Sequence, residues 1–94
     1  MQHTYLTTAM YHFVSLPHFE SLREPLLQFC MEREIKGTLL LADEGINGTV
    51  AGSEKSILEF LSFLKNDPLF EDNFKNLGHK ESRSTKHPFY RMKV

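Results

Sequence analysis

Cysteine, tryptophan and long apolar runs are scarce in this chain of 94 residues, and each scarcity excludes a class of protein. The single cysteine, Cys30, cannot form an internal disulfide, which argues against a disulfide-stapled secreted domain and favours a reducing cytoplasm. The longest apolar run, residues 39–42, is far shorter than the roughly 20 residues of a transmembrane helix. The first residues lack the basic and apolar regions of a signal peptide. We therefore expect a cytoplasmic protein without a membrane segment.

Charge is nearly balanced over the whole chain but not along it. Residues 1–74 contain five Lys/Arg and eleven Asp/Glu, whereas residues 75–94 contain six Lys/Arg and a single acid, Glu81. A basic segment on an acidic body attracts anionic partners such as RNA phosphates. The alternative is a solvated tail whose charge only aids solubility. Both interpretations stay open on composition alone.

The first part of the chain predicts a strand followed by a helix. Residues 9–15 are rich in aromatic and β-branched types, which favours a strand that stops before Pro17. Downstream, apolar side chains recur at helical spacing, and Ser21 with Glu24 resembles a capping box. Pro25 is tolerated only near a helix start, so we expect the regular helix to begin or kink there. The predicted apolar face consists of Leu22, Leu26, Phe29 and Cys30.

The rest of the chain predicts a hairpin, a second helix and further strands. Residues 36–42 and 46–51 are typical of two strands joined by the turn 43–45. Ser53 is a favourable N-cap for a helix that ends before Pro68. Residues 77–83 predict a weak strand, and residues 89–94 alternate strictly, with Tyr90, Met92 and Val94 on one face. That alternation stops at Val94 without a turn, which we interpret as a chain cut from something longer.

This order of elements predicts a ferredoxin-like or acylphosphatase-like βαββαβ sandwich of the α+β class. We expect residues 1–94 to form one domain, with an antiparallel sheet and both helices on one face of it. The fold hosts many unrelated functions and therefore does not supply one.

No pattern in the chain predicts a metal or cofactor site. The five histidines are scattered without ligand spacing, and Cys30 has no cysteine partner. Cys30 lies towards the end of the first helix on its apolar face, where burial makes a thiol inert. We therefore expect a packing role for Cys30, no catalytic residue, no cofactor and no metal.

Acylphosphatase chemistry is the enzymatic alternative that this fold offers. It requires a glycine-rich loop after the first strand, whose backbone N–H groups cradle a phosphate. Here the corresponding loop, residues 15–18, contains no glycine and includes Pro17. Arg23 and Asn47 would be the clamp and the water-positioning amide of such an enzyme, but the cradle is missing.

The densest polar cluster is the hairpin at residues 43–48. Glu44 and Asn47 would contribute to a site if this chain were an isolated enzyme. The structural explanation is stronger, because Gly45 supplies a positive φ at the turn and Gly48 permits close backbone approach. We interpret the hairpin as structural on spacing alone.

One long segment is more specific than any of these patterns. Residues 35–52, IKGTLLLADEGINGTVAG, resemble the signature of the rhodanese-related family of oxygen-dependent tRNA uridine hydroxylases. Two flanking pieces also resemble this family: residues 13–17 with 22–26, and residues 88–94. The hairpin residues Glu44, Gly45, Asn47 and Gly48 belong to this motif.

The resemblance implies a multidomain parent protein that converts the wobble uridine of tRNA to 5-hydroxyuridine. In such proteins a ferredoxin-like domain precedes a rhodanese domain with an active-site cysteine loop. The chain ends before any rhodanese domain, so we expect that domain downstream in the parent. Cys30 has no correspondence to the catalytic cysteine. We therefore expect oxidoreductase activity of the parent protein and none of this chain alone.

Two roles remain for the chain itself. In the first, it docks tRNA, with phosphates held by Lys80, Arg83, Lys86, Arg91 and Lys93. Exposed aromatic side chains would stack bases if they lie on the helix-free face: Tyr11, Phe13 and Tyr90. In the second, it only docks against the rhodanese domain or forms a homodimer, and Tyr90, Met92 and Val94 continue an interface strand.

Overall fold

The computed structural model of the chain describes residues 4–94. His3 and the start of the chain, considered above for a metal site and a signal peptide, lie outside this range. The elements in chain order are β1 (Tyr5–Phe13), α1 (Glu20–Glu32), β2 (Lys36–Ala42), β3 (Gly45–Ser53), α2 (Glu54–Asn66), a short 3₁₀ helix (Pro68–Phe70), β4 (His79–Ser84) and β5 (Met92–Lys93). They form one sheet of order β4-β1-β3-β2-β5 against two helices.

The sheet is mixed, so the expectation of a purely antiparallel sheet was wrong. The pairs β1–β3, β1–β4 and β2–β3 are antiparallel, as expected, but β5 pairs parallel to β2. The reason is the path of residues 85–91. The last residues of β4 and the first residues of β2 lie at the same end of the sheet. Residues 85–91 run along that end from β4 to the other edge, so β5 starts beside the start of β2 and runs parallel to it. This crossing also shortens β5 from the expected 89–94, because Pro88 and its neighbours form the connection.

β1 starts at Tyr5 rather than at residue 9. Leu6, Thr8 and Met10 alternate into the core, and each is 3% exposed or less. Thr8 is a polar residue at a core position, and its hydroxyl has no hydrogen-bond partner among the described residues. Because Thr8 is polar, the sequence does not show a continuous alternation of apolar residues from Leu6 to Met10. The start of the strand was therefore predicted too late.

α1 begins at Glu20, five residues before Pro25. The predicted capping box is wrong: Phe19 occupies the N-cap without a side-chain bond, and the Ser21 hydroxyl donates to the carbonyl oxygen of His18 at 2.7 Å. Pro25 lies in the second turn, where its missing N–H removes a single intrahelical bond. The predicted apolar face is otherwise confirmed, since Leu22, Leu26 and Cys30 are buried.

α2 follows the sequence prediction closely. The Ser53 hydroxyl accepts from the backbone N–H of Ser56 at 3.1 Å and caps the helix, which ends before Asp67. Its buried stripe is the predicted one: Ile57, Phe60, Leu61 and Leu64.

The core lies between the two helices and one face of the sheet. Helix residues such as Leu26 and Phe60 meet Met10, Leu39 and Val50 from the three central strands in one buried cluster. Within residues 4–94, no helix is long and apolar enough to span a membrane. Neither α1 nor α2 packs on the opposite face of the sheet.

Candidate nucleic-acid interface

The face of the sheet turned away from α1 and α2 is called the open face here. Strand alternation and register define it as the odd-numbered residues of β1 and β3, the even-numbered residues of β2 and β4, and Lys93 of β5. Charge on the strands is segregated by face. Three lysines lie on the open face, Lys36, Lys80 and Lys93, while Glu81 and Arg83 lie on the helix side. No strand carboxylate in residues 4–94 faces the open side.

Two of the lysines mark the ends of one row across the sheet. Lys80 pairs with Ala9 on β1, and Lys93 pairs with Thr38 on β2. The three residues between them in this row have small side chains: Ala9, Thr49 and Thr38. With strands roughly 4.8 Å apart, the row is about 19 Å wide. This row of the open face therefore has a lysine at each edge.

The five basic residues predicted from the sequence do not share one surface. Lys80 and Lys93 lie on the open face, and Lys86 and Arg91 are exposed on the connection between β4 and β5. Arg83 lies on the helix side, where its guanidinium donates to the Glu54 carboxylate at 2.6 Å. This hydrogen bond raises the pKa of the Arg83 guanidinium, and its positive charge is paired with the Glu54 carboxylate. Arg83 is thus separated from the other four.

The connection itself is fastened across one end of the sheet. The His87 ring lies 4.8 Å from the Tyr5 ring, and its Nε2 lies 3.4 Å from the carbonyl oxygen of Glu34. The N–H of Gly37 donates to the carbonyl oxygen of Arg91 at 2.9 Å. Lys86 and Arg91 are therefore carried by an anchored segment rather than by a free tail.

Sequence reasoning missed Lys36, the third lysine of the open face. Lys36 belongs to the acidic part of the chain and has no basic neighbour in sequence. The register places it opposite Ala51, one row away from Thr38. The sequence indicates the face of Lys36 only through the alternation of side chains along β2. That alternation is informative only when the buried face of β2 is known.

Two of the three aromatic residues meet the condition for base stacking, which is a position on the helix-free face of the sheet. Tyr11 and Phe13 lie on the open face, are 60% and 67% exposed, and their rings meet edge to face with centroids 4.7 Å apart. Tyr90 is 96% exposed but lies outside β5, and only Met92 and Val94 pack against the core. The predicted common face of Tyr90, Met92 and Val94 is therefore wrong, because the strand begins two residues after Tyr90.

The family-motif hairpin borders these aromatic residues. Asn47 lies between Tyr11 and Leu40 in one row across three strands, and Gly45 lies between Phe13 and Ala42 in the next. Together with Glu44 at the turn, these residues line a depression of about 240 Å³. The hairpin thus contributes one wall of a small surface site.

Both motif glycines have the conformations that their spacing predicted. Gly45 has φ 143° and Gly48 has φ 152°. A Cβ atom at Gly45 would collide with the carbonyl oxygen of His12, and one at Gly48 would collide with that of Thr38. These positions accept only glycine, which confirms the structural explanation of the two residues.

The loop after β1 is not arranged as a phosphate cradle. The N–H of Val14 donates to the carbonyl oxygen of Glu44 at 2.9 Å, and the N–H of Leu16 donates to that of Asp43 at 2.8 Å. These two backbone N–H groups already donate hydrogen bonds within the protein and do not point into a phosphate site. Arg23 donates instead to the carbonyl oxygen of Val94 at 2.8 Å, and it is on α1 while Asn47 is on the open face. The geometry gives acylphosphatase chemistry no support.

Cys30 is buried at the packed side of α1. Burial raises the pKa of its thiol from 9.0 to about 12, and the nearby Arg33 only partly offsets this rise. The thiol is neutral in the folded chain, so raising the pH above about 9 favours the unfolded state, where the thiolate forms more easily. Among the described residues, no three His, Cys, Asp or Glu side chains are grouped to hold a metal ion.

This burial gives a direct expectation for thiol chemistry. At pH 8 the native protein should leave Cys30 unmodified by a thiol reagent, whereas protein unfolded in urea should react with one thiol per chain. The measurement is the rate of colour release from an aromatic disulfide reagent. Rapid modification of the native protein at pH 8 would contradict the packing role.

The comparisons with known proteins agree with this fold. The model of the UPF0176 acylphosphatase-like domain family matches residues 5–94. The chain belongs to this family. It is 58% identical over 90 residues to a tRNA uridine(34) hydroxylase of Teredinibacter turnerae and 54% identical to one of Sinorhizobium medicae. These matches cover 96% of the chain but 27% of each relative, so the chain spans about a quarter of their length.

A solved acylphosphatase from Coxiella burnetii has the same fold. It superposes with a TM-score of 0.55 over 99% of this chain and 93% of its own, at 13% sequence identity. At that identity the likeness concerns the fold alone. Membership of the acylphosphatase-like family therefore describes the architecture of this chain and not its chemistry.

Proposed function

We propose that this chain is the N-terminal, tRNA-docking domain of a cytoplasmic protein that forms 5-hydroxyuridine at the tRNA wobble position. Its relatives named tRNA uridine(34) hydroxylase support the substrate, and their greater length supports a catalytic domain downstream. In this proposal the rhodanese domain carries the chemistry. Residues 1–94 bind and orient the RNA.

The observation that carries the proposal is the segregation of charge on the sheet. Lys36, Lys80 and Lys93 face the open side without a strand carboxylate beside them. A net charge of −1 would repel RNA weakly if it were spread evenly. Placing three lysines on one face of the sheet creates a local positive field that attracts phosphates. Lys86 and Arg91 extend this field along the end of the sheet.

Replacing the open-face lysines should weaken tRNA binding. For Lys36→Gln, Lys80→Gln and Lys93→Gln together, we expect tRNA affinity at low salt to fall at least about tenfold. The slope of log affinity against log salt should become shallower by about one for each lysine that contacts a phosphate. The measurement is a binding titration against unmodified tRNA at four or more salt concentrations.

The matched control removes the same charge elsewhere. Lys55→Gln, Lys65→Gln and Lys75→Gln together also neutralise three lysines, none of which lies in the sheet. This variant and Arg83→Gln, whose guanidinium is held by Glu54, should bind tRNA nearly as the unchanged protein does. Equal losses in the two triple variants, or no tRNA binding at low salt by the unchanged protein, would contradict the proposal.

The second candidate function is docking against the downstream domain. Leu40 is 59% exposed and borders a second depression of about 410 Å³ beside Val94, lined also by Phe19 and Leu41. If this surface is an intramolecular interface, hydrogen exchange of β2 in the longer protein should be slower than in residues 1–94 alone. Equal exchange in the two would leave the tRNA-docking role.

A further inference from the structure

We infer that Tyr11, Phe13 and Asn47 form a stacking site for one unpaired nucleobase on the open face. The inference rests on the proposed function, because it names which part of an RNA this end of the sheet takes. It assigns single-stranded RNA, rather than duplex, as the chemical class of ligand.

The aromatic pair is unusual for its exposure. Tyr11 and Phe13 belong to the same strand and the same face, and more than half of each side chain is open to solvent. A small domain normally buries its large aromatic residues, as this one does with Phe60, Phe70 and Phe74. An aromatic ring left on a sheet surface offers a π-face on which any base can stack.

The depression beside the pair has the size and polarity for a base. Its volume of about 240 Å³ lies below the roughly 300–1,000 Å³ of sites for drug-sized ligands, so it suits a single flat ring. Gly45 lies between Phe13 and Ala42 in the row beside Asn47 and contributes no side chain to the depression. Asn47 is exposed on the wall, and its amide can both donate to and accept from the polar edge of a base.

Charge favours a base over a phosphate in this depression. Glu44 lines it, and a carboxylate repels phosphate while accepting hydrogen bonds from base N–H groups. The lysine row of Lys80 and Lys93 lies two residues further along the strands, about 7 Å away. A single strand can therefore place its backbone over the lysines and turn one base into the depression.

The test separates stacking from charge. Tyr11→Ala with Phe13→Ala should weaken binding of a single-stranded RNA oligonucleotide by roughly 5- to 150-fold, the loss that corresponds to one stacked base. Binding of duplex RNA of equal length and charge should stay unchanged, and so should the salt slope. Tyr11→Phe keeps the ring and should bind as the unchanged protein does. An oligonucleotide carrying 2-aminopurine should show fluorescence quenching that is lost in the double alanine variant.

The controls keep folding and surface hydrophobicity apart from stacking. Met31→Ala with Leu58→Ala removes two exposed apolar side chains from the helices and should leave binding unchanged. Thermal unfolding of each variant monitors the fold. Asn47→Ala should reduce the difference in affinity among oligoadenylate, oligocytidylate and oligouridylate, because it removes the hydrogen-bonding contact to the base edge.

The outcomes distinguish the inference from the proposed function. If the double alanine variant binds single strands normally while the lysine variant does not, the stacking site is overturned and the docking role stands. If no RNA binds the unchanged protein, both are overturned. If Tyr11 in the longer protein resists nitration that modifies it in residues 1–94, the patch is covered by the rest of the chain and the stacking site is overturned.

Discussion

Gly45→Ala and Gly48→Ala are each expected to destabilise the chain by about 3 kcal/mol or more. A domain of this size has a free energy of unfolding of roughly 5–15 kcal/mol, so each single methyl group removes a large part of it. The midpoint of thermal unfolding should fall by roughly 12 °C or more. Circular dichroism melting of the two variants measures the effect.

The large effect has two physical causes. Both residues have positive φ values, which L side chains rarely adopt. In addition, each new Cβ would collide with a backbone carbonyl oxygen of the neighbouring strand, His12 for Gly45 and Thr38 for Gly48. The collision partner is backbone inside a hydrogen-bonded sheet and cannot rotate away. Strand separation is the remaining way to relieve it.

A third glycine provides the matched control. Gly78 precedes β4, and a Cβ atom there would meet nothing within 4 Å. Gly78→Ala should therefore leave the melting temperature nearly unchanged or raise it slightly, because alanine restricts the unfolded chain. A similar loss of stability in all three variants would show that the hairpin is not the constrained element.

Phe60→Ala is expected to cost about 3–5 kcal/mol of unfolding free energy. Phe60 is fully buried on α2, which packs on β1 and β3. Its ring centroid lies 6.4 Å from that of Phe29 on α1, so it joins both helices to the sheet. Alanine would leave a cavity that the rigid sheet cannot close. Urea unfolding followed by circular dichroism measures the loss.

Leu58→Ala on the same helix is the control for this substitution. Leu58 is 55% exposed, and its truncation removes little surface from contact with the core. We expect its effect to stay within about 0.5 kcal/mol, and alanine also has the higher helix propensity. Comparable losses in Phe60→Ala and Leu58→Ala would contradict the assignment of the buried face of α2.

Prediction from the sequence succeeded where a local pattern and a local cause coincide. The stripe of α2, its Ser53 cap and its end before Pro68 all follow from side chains within one turn of each other. The strand at residues 36–42 also matched, because its apolar run is continuous. The family-motif hairpin was correct for the same reason, since positive φ at Gly45 is a local requirement of the turn.

Prediction failed where distant parts of the chain decide the outcome. The start of β1 was misplaced because Thr8 occupies a core position, and only its pairing with β3 and β4 reveals that. The direction of β5 depends on which end of the sheet residues 85–91 cross, and no short sequence pattern encodes this path. The predicted capping box at Ser21 was wrong because the helix begins two residues earlier, with Phe19 rather than Ser21 at the N-cap.

The candidate site shows the same division. The basic character of the last 20 residues was predicted from composition, whereas a stacking role for the aromatic residues was stated only on the condition that they lie on the helix-free face. Which charges act together was not, since Arg83 pairs with Glu54 on α2 while Lys36 joins Lys80 and Lys93 across four strand boundaries. The face of the sheet on which a side chain lies depends on the register of strand pairing. Strand pairing joins residues that are far apart in sequence.

The sequence by itself determined the family, the number and type of the main elements, the inert cysteine and the glycine-dependent hairpin. Each depends on a motif, a periodicity or a backbone requirement that neighbouring residues carry. Only the tertiary structure decided which lysines share the open face, that Tyr11 and Phe13 stand beside Asn47, and that β5 runs parallel to β2. These features arise from strand pairing, where a shift of one residue exchanges the two faces of a strand, so no reading of the chain in order can establish them.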